Sequence, residues 1–133
     1  MTSRNEKTAK PHALRLALAA AAADAVMILV FAAVGRDAHQ RGEVVTGVLL
    51  TAWPFLAGAA MGWLIARAWR YPLSVRRTGI AVWLGSVAGG MVLRALTGQT
   101  VVLPFVIVAS LSLGVLLLGY RLVLAGLRRR RAA

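Results

Sequence analysis

The sequence contains no cysteine, and acidic residues are scarce, with only 4 Asp and Glu among 133 residues. The absence of cysteine excludes disulfides, thiolate metal sites, cysteine nucleophiles and lipid anchors attached through cysteine. No carboxylate pair, phosphate-binding loop or pairing of a nucleophile with a base is recognisable. We therefore do not expect this chain to be an enzyme.

Histidine is also rare, with 2 in the chain: His12 near the N-terminus and His39 in a polar segment that also holds Asp37 and Glu43. Since no histidine lies in an apolar run, haem held between two helices is not expected. A single histidine is a poor basis for a metal site, and solvated loop charges are the ordinary interpretation of this segment. We predict neither a metal nor a cofactor.

What the sequence does contain is apolar: 59% of its residues are hydrophobic and 15% charged. Soluble domains average roughly 45–50% apolar and about 25% charged residues. A soluble fold of this length leaves much of its surface in water, so it could not hide this much apolar surface. Lipid can cover it, and we predict a single integral membrane domain over residues 1–133.

Four apolar runs, at about residues 14–34, 46–66, 78–96 and 101–124, divide the chain. Each is close to the ~20 residues that a helix needs to cross a ~30 Å hydrocarbon core. Lipid offers no partners for unpaired backbone groups, so each run should be helical. The sequence predicts an all-α membrane protein, a four-transmembrane-helix bundle.

A Pro-Phe pair occurs in the second run and again in the fourth, at Pro54-Phe55 and Pro104-Phe105. The repetition is consistent with two related helical hairpins in parallel orientation. Proline is tolerated in a first helical turn, but if the second helix begins near Thr46, Pro54 should kink it.

The basic residues, which give a net charge of +12, lie mainly outside the apolar runs. One side of the predicted bundle collects most of them: Arg4, Lys7, Lys10, Arg15, Arg67, Arg70, Arg76, Arg77, Arg121, Arg128, Arg129, Arg130 and Arg131. The other side holds Arg36, Arg41 and Arg94. The positive-inside rule then places the chain in the cell (inner) membrane with both termini in the cytoplasm.

Four arginines, Arg67, Arg70, Arg76 and Arg77, lie together with Trp69 and Tyr71 between the second and third runs. Arginine and aromatic residues at a membrane interface bind anionic phospholipid headgroups, which we predict here. The chain has no basic stripe with interleaved aromatics, so nucleic acid is not an expected partner.

Several local patterns together carry a resemblance to a known family. They are Asp24; Phe31 to Arg36 with His39; Thr51 to Leu56; Gly62-Trp63; Gly79; Trp83; Gly89-Gly90-Met91; Arg94; Thr97-Gly98; Phe105 to Ala109; and Gly119-Tyr120-Arg121. Over about residues 20–121 the chain resembles the small prokaryotic membrane proteins of the domain-of-unknown-function family three-zero-five-four. Tyr120 departs from the tryptophan expected there, a mild change at an interface. The resemblance implies the same membrane architecture and no known activity.

Asp24 is the main candidate for a functional residue, because it lies ten residues from either end of its run, about 15 Å deep. A carboxylate at that depth costs several kcal/mol unless it faces the bundle interior or a wet cavity. We predict an intramembrane polar site of Asp24, Arg94 and Ser86. In it Asp24 either pairs with Arg94 or binds protons or cations, while Arg94 alternatively extends outward to headgroups.

Two Gly-x-x-x-Gly motifs, Gly58 with Gly62 and Gly85 with Gly89, predict close helix packing. They could serve contacts within one chain or between two copies in a homodimer.

Two functions remain. The first is a structural or accessory bundle, with a membrane protein as partner, in which Asp24 fixes helix packing. The alternative is a small oligomeric proton- or cation-coupled transporter or channel that uses Asp24.

Overall fold

The computed structural model describes the backbone of residues 2–37 and 44–132 and the side chains of residues 11–35 and 45–131. Asp37, His39 and Glu43, considered above as metal ligands, lie outside the described side chains.

Four helices make up the described chain: α1 (Thr2–Asp37), α2 (Val44–Ala66), α3 (Val75–Leu96) and α4 (Leu103–Ala132). Each contains a stretch long and apolar enough to cross a membrane. The residues that the structure describes form no strand. The prediction of an all-α, four-helix membrane protein is confirmed, and the chain is a multi-pass membrane protein.

The helices α1 and α4 are longer than the apolar runs within them. Hydropathy marks where the sequence is apolar, whereas a helix continues through any residues that favour it. Arginine and lysine are good helix formers, so α1 begins at Thr2 and α4 extends to Ala132, through the basic segments.

The two prolines of the Pro-Phe pairs occupy different helical positions. Pro104 is the second residue of α4. Backbone nitrogens in a first helical turn have no acceptor within the helix, so the missing N–H of proline costs no hydrogen bond there. Pro54 lies inside α2, which remains helical through it from Val44 to Ala66. The relation between the two hairpins stays a prediction.

The helices close into a ring in which each packs on its neighbour in sequence and α4 also packs on α1. The core between them holds Ile28, Phe55, Leu113 and Leu117. The Phe31 and Phe55 rings meet edge to face, with centroids 5.3 Å apart.

The closest approach in the bundle is between α2 and α3, at the two glycine motifs. A Cβ added to Gly89 would lie 2.8 Å from the Gly58 Cα, and one added to Gly62 would lie 2.6 Å from the Ala81 carbonyl oxygen. The two backbones are thus in direct contact, as such motifs permit. All four glycines of the motifs take part in this contact within one chain: Gly58, Gly62, Gly85 and Gly89.

A short connection, residues 67–74, joins α2 to α3. It contains a 3₁₀ turn at Ala68–Arg70, and Ser74 caps α3 by accepting a hydrogen bond from the Arg77 N–H at 3.2 Å. Its Pro72 carbonyl accepts a hydrogen bond from Arg121 of α4. The end of the bundle that carries this connection, the start of α1 and the end of α4 is called the basic end below, and the opposite end, with residues 97–102, the far end.

Candidate functional site

Asp24 lies on the face of α1 that packs against the bundle, with Ala20 one turn and Ala17 two turns before it on the same face. These alanines have short side chains, so the Tyr120 hydroxyl of α4 can reach α1, where it lies 3.4 Å from the Ala20 carbonyl oxygen. The Asp24 side chain is 3% exposed and lies between α1, α2 and α4.

Arg121 of α4 pairs with Asp24 through two parallel hydrogen bonds. Its Nη1 donates to Asp24 Oδ1 and its Nη2 to Asp24 Oδ2, each at 2.8 Å. Arg121 is fully buried, and the two charges neutralise each other within the bundle. Bidentate pairing of this kind is the strongest geometry that arginine and carboxylate can form.

Two aromatic side chains complete the coordination of the carboxylate. The Tyr120 hydroxyl donates to Oδ1 at 2.7 Å, and the Trp63 indole N–H donates to Oδ2 at 2.8 Å. Each oxygen therefore accepts two hydrogen bonds, which occupies the roughly four lone-pair positions of a carboxylate. Asp24, Trp63, Tyr120 and Arg121 are called the Asp24 cluster below.

The remaining donors of Arg121 bind backbone carbonyl groups. Nε donates to the Pro72 carbonyl oxygen at 3.1 Å, and Nη1 also donates to that of Leu117 at 3.1 Å. Through Pro72 the cluster reaches the connection between α2 and α3. It thus ties three helices and one loop to a single buried ion pair.

The cluster lies nearer the basic end than the centre of the bundle. Trp63 is three residues before the end of α2 at Ala66, about 5 Å along the helix axis, and Pro72 belongs to the loop itself. On α1 itself, Asp24 lies 13 residues after Pro11 and 11 residues before Gly35, the two ends of the apolar stretch. Its position midway along the membrane span therefore stays a prediction.

The predicted pairing of Asp24 with Arg94 is wrong. Arg94 is two residues from the end of α3 at the far end, whereas Asp24 lies towards the basic end. The Arg94 guanidinium donates to the Gln99 side chain at 2.9 Å and to the Thr100 carbonyl at 2.8 Å, and it stacks over the Phe105 ring at 4.5 Å. It holds the connection between α3 and α4 instead of reaching Asp24.

Ser86, the third residue of the predicted site, is buried at a different contact. Its hydroxyl donates to the Phe55 carbonyl at 3.0 Å and so joins α3 to α2. On the same helix, the Trp83 indole donates to the Ser110 carbonyl at 2.8 Å and joins α3 to α4. The structure therefore separates Asp24, Arg94 and Ser86 into three places.

Sequence reasoning missed Arg121, Tyr120 and Trp63 as partners of Asp24. The positive-inside rule groups Arg121 with the charges of the C-terminal end, because it lies near the end of its apolar run. A usable signal was present: Arg121 is the single charged residue inside the fourth run, as Asp24 is well inside the first. The free-energy cost of two opposite charges inside two membrane spans is lowest when the charges pair.

The predicted headgroup-binding arginines, Arg67, Arg70, Arg76 and Arg77, are all exposed at the basic end. The Arg77 guanidinium lies over the Tyr71 ring at 4.5 Å. Their contact with lipid stays a prediction. Among the described residues, no three histidine, aspartate or glutamate side chains come together as metal ligands.

A family model described as a protein of unknown function (DUF3054) matches residues 21–124, a range that contains the whole Asp24 cluster. No curated protein and no solved structure matches the chain.

Proposed function

Because the chain belongs to the DUF3054 family of proteins of unknown function, we propose a function from the geometry of its own site. The protein is a structural or accessory four-helix bundle without catalytic activity. It resides in the cell (inner) membrane with both termini in the cytoplasm and supports a membrane protein partner or a second copy of itself. The Asp24 cluster is the clamp that holds α1, α2 and α4 in register.

The observation that carries this proposal is the saturation of the Asp24 carboxylate. Two donors bind each oxygen, and Arg121 balances the charge. A carboxylate that binds a proton or cation during transport must exchange its partners. Here a proton could bind only by displacing one of four short hydrogen bonds and leaving Arg121 as an uncompensated buried charge.

The polar contacts elsewhere in the bundle support the same role. Ser86, Trp83 and Arg94 each bind a backbone carbonyl of a neighbouring segment. These contacts join α2 to α3 and α3 to α4, while the Asp24 cluster joins α1 to both α2 and α4. Such hydrogen bonds fix helices against one another where lipid gives no hydrophobic drive for association.

The transport alternative is tested with purified protein in proteoliposomes that enclose a pH-sensitive dye. We expect wild type to show no proton flux above that of protein-free liposomes under an imposed pH gradient. Asp24→Asn should then lower the midpoint of thermal unfolding in detergent, because Arg121 loses its counter-charge. Flux by wild type that Asp24→Asn abolishes, with unfolding unchanged, would overturn the proposal in favour of a proton-coupled transporter.

A further inference from the structure

A groove of about 390 Å³ lies between α1 and α4 at the basic end. Its volume is within the ~300–1,000 Å³ usual for ligand sites. The lining is almost entirely apolar in its deeper part, where Ala19, Ala20 and Ala23 of α1 face Leu124 of α4.

The groove exists because of the alanines on α1. With no atoms beyond Cβ, they leave the space beside α4 unfilled, and the groove is open to the outside of the bundle. Ala19 is exposed, so this space is accessible from the surrounding bilayer.

Two arginines, Arg128 and Arg131, line the same groove at its outer end. They are three residues apart and therefore lie on one face of α4, whereas Arg129 and Arg130 do not line the groove. Among the described residues, no acidic side chain lines it. The charge of nearby Asp24 is already neutralised by Arg121. The groove is thus apolar along its length and positive at its mouth.

We propose that this groove binds one acyl chain of an anionic phospholipid, whose headgroup phosphate is held between Arg128 and Arg131. From Tyr120 to Arg131 the groove runs about 16 Å along α4. This is close to the ~15 Å depth of the hydrocarbon of one leaflet. The planar guanidinium groups can donate paired hydrogen bonds to a phosphate. The alanines of α1 form an apolar surface on which a flexible acyl chain can lie. The site goes beyond the proposed structural role and is separate from the exposed arginines of the connection between α2 and α3.

The test is native mass spectrometry of the full chain in detergent, titrated with three probes: phosphatidylglycerol, phosphatidylcholine and glycerol phosphate. We expect phosphatidylglycerol to bind at least about tenfold more tightly than phosphatidylcholine, because each arginine adds attraction to an anionic headgroup. Glycerol phosphate, which has the anion without the chains, should not bind at the same concentrations.

Matched variants separate the groove from general charge. R128A/R131A should remove the preference for phosphatidylglycerol, whereas R129A/R130A, with the same loss of charge, should keep it within about threefold. Ala19→Leu should fill the groove and lower phosphatidylglycerol occupancy, whereas Ala22→Leu, on an exposed position outside the groove, should not. The midpoint of thermal unfolding checks that every variant is folded.

Three results would overturn the proposal. Equal losses in the two double variants would mean that the lipid senses only the diffuse charge of the C-terminal run. Equal binding of glycerol phosphate would mean a simple anion site. A change from dimer to monomer in Ala19→Leu, without a change in lipid occupancy, would mean that a second copy of the chain occupies the groove.

Discussion

At the residue scale, the Asp24 cluster holds two charges that would each be costly to bury alone. Paired and hydrogen-bonded, they form a neutral unit. Removing one partner of a buried pair commonly costs 3–5 kcal/mol, because the other charge is left uncompensated, whereas replacing both with apolar residues is often nearly neutral. The loss on single substitution therefore measures the penalty of an orphaned charge more than the worth of the pair.

This difference gives a prediction for Arg121. Arg121→Met should destabilise the protein by about 3–5 kcal/mol, since Asp24 loses its counter-charge, while D24L/R121M should recover most of that loss. Tyr120→Phe, which removes one hydrogen bond to the same charged carboxylate but leaves its counter-charge, should cost about 1.5–3 kcal/mol. The measurement is reversible unfolding in mixed micelles. If the losses of free energy measured for Asp24→Leu and Arg121→Met simply add in D24L/R121M, the two side chains are not coupled.

The sequence indicates that Asp24 is buried, but the one partner it suggests, Arg94, is not the residue that binds the carboxylate. Burial of the carboxylate follows from its cost in lipid, which sequence supplies. Choosing between Arg94 and Arg121 requires knowing how the helices are offset along their axes, and sequence does not supply that. The hydrogen bonds from Trp63 and Arg121 show that Asp24 lies at the level of these two residues.

At the element scale, α2 and α3 depend on glycine for their contact. A Cβ on Gly58 would meet the Gly85 carbonyl oxygen and lie 3.0 Å from the Gly90 nitrogen. Both neighbours are backbone atoms of α3, so no side chain can rotate to make room. The π-helical segment Gly85–Gly89 lies at this same contact. The motif spacing was enough to predict close packing, but only the assembled bundle places the two motifs against each other.

Substitution of two helical glycines tests this contact. Gly58→Ala should destabilise the bundle by about 1–3 kcal/mol, the usual cost of overpacking. Gly119→Ala is the matched control, because nothing lies within 4 Å of its added Cβ. There the change should be neutral or stabilising by up to about 1 kcal/mol through helix propensity. Unfolding midpoints in the same detergent compare the two. If Gly58→Ala is as well tolerated as Gly119→Ala, the backbones of α2 and α3 are not in direct contact at Gly58.

At the scale of the whole molecule, the number and order of the helices follow from sequence, because length and hydropathy report directly on what a bilayer can hold. The closing of the ring, with α4 against α1, does not. It depends on contacts such as Tyr120 and Arg121 with Asp24, which are about a hundred residues apart in sequence. Spans that look alike in hydropathy differ in partners, and only side-chain geometry distinguishes them.

The orientation of the whole bundle in the membrane can be predicted from its basic residues. Exposed Arg67, Arg70, Arg76 and Arg77 lie at the basic end, together with the arginine run of α4, and the positive-inside rule places that end in the cytoplasm. Because the chain has no cysteine, a single introduced thiol reports its side without background. Tyr71→Cys marks the basic end and Val101→Cys the far end. Both residues are exposed, and neither substitution removes a basic residue.

In spheroplasts treated with a membrane-impermeant maleimide, Val101→Cys should be labelled at once and Tyr71→Cys only after the membrane is permeabilised. The reverse pattern would place the termini outside. Labelling of about half of each variant before permeabilisation would mean that the chain inserts in both orientations, which requires the two faces to have nearly balanced basic charge. The basic residues of this chain lie mostly on one face of the membrane, which argues for a single orientation. Arg128 and Arg131 are then at the cytoplasmic leaflet, where anionic lipids are concentrated.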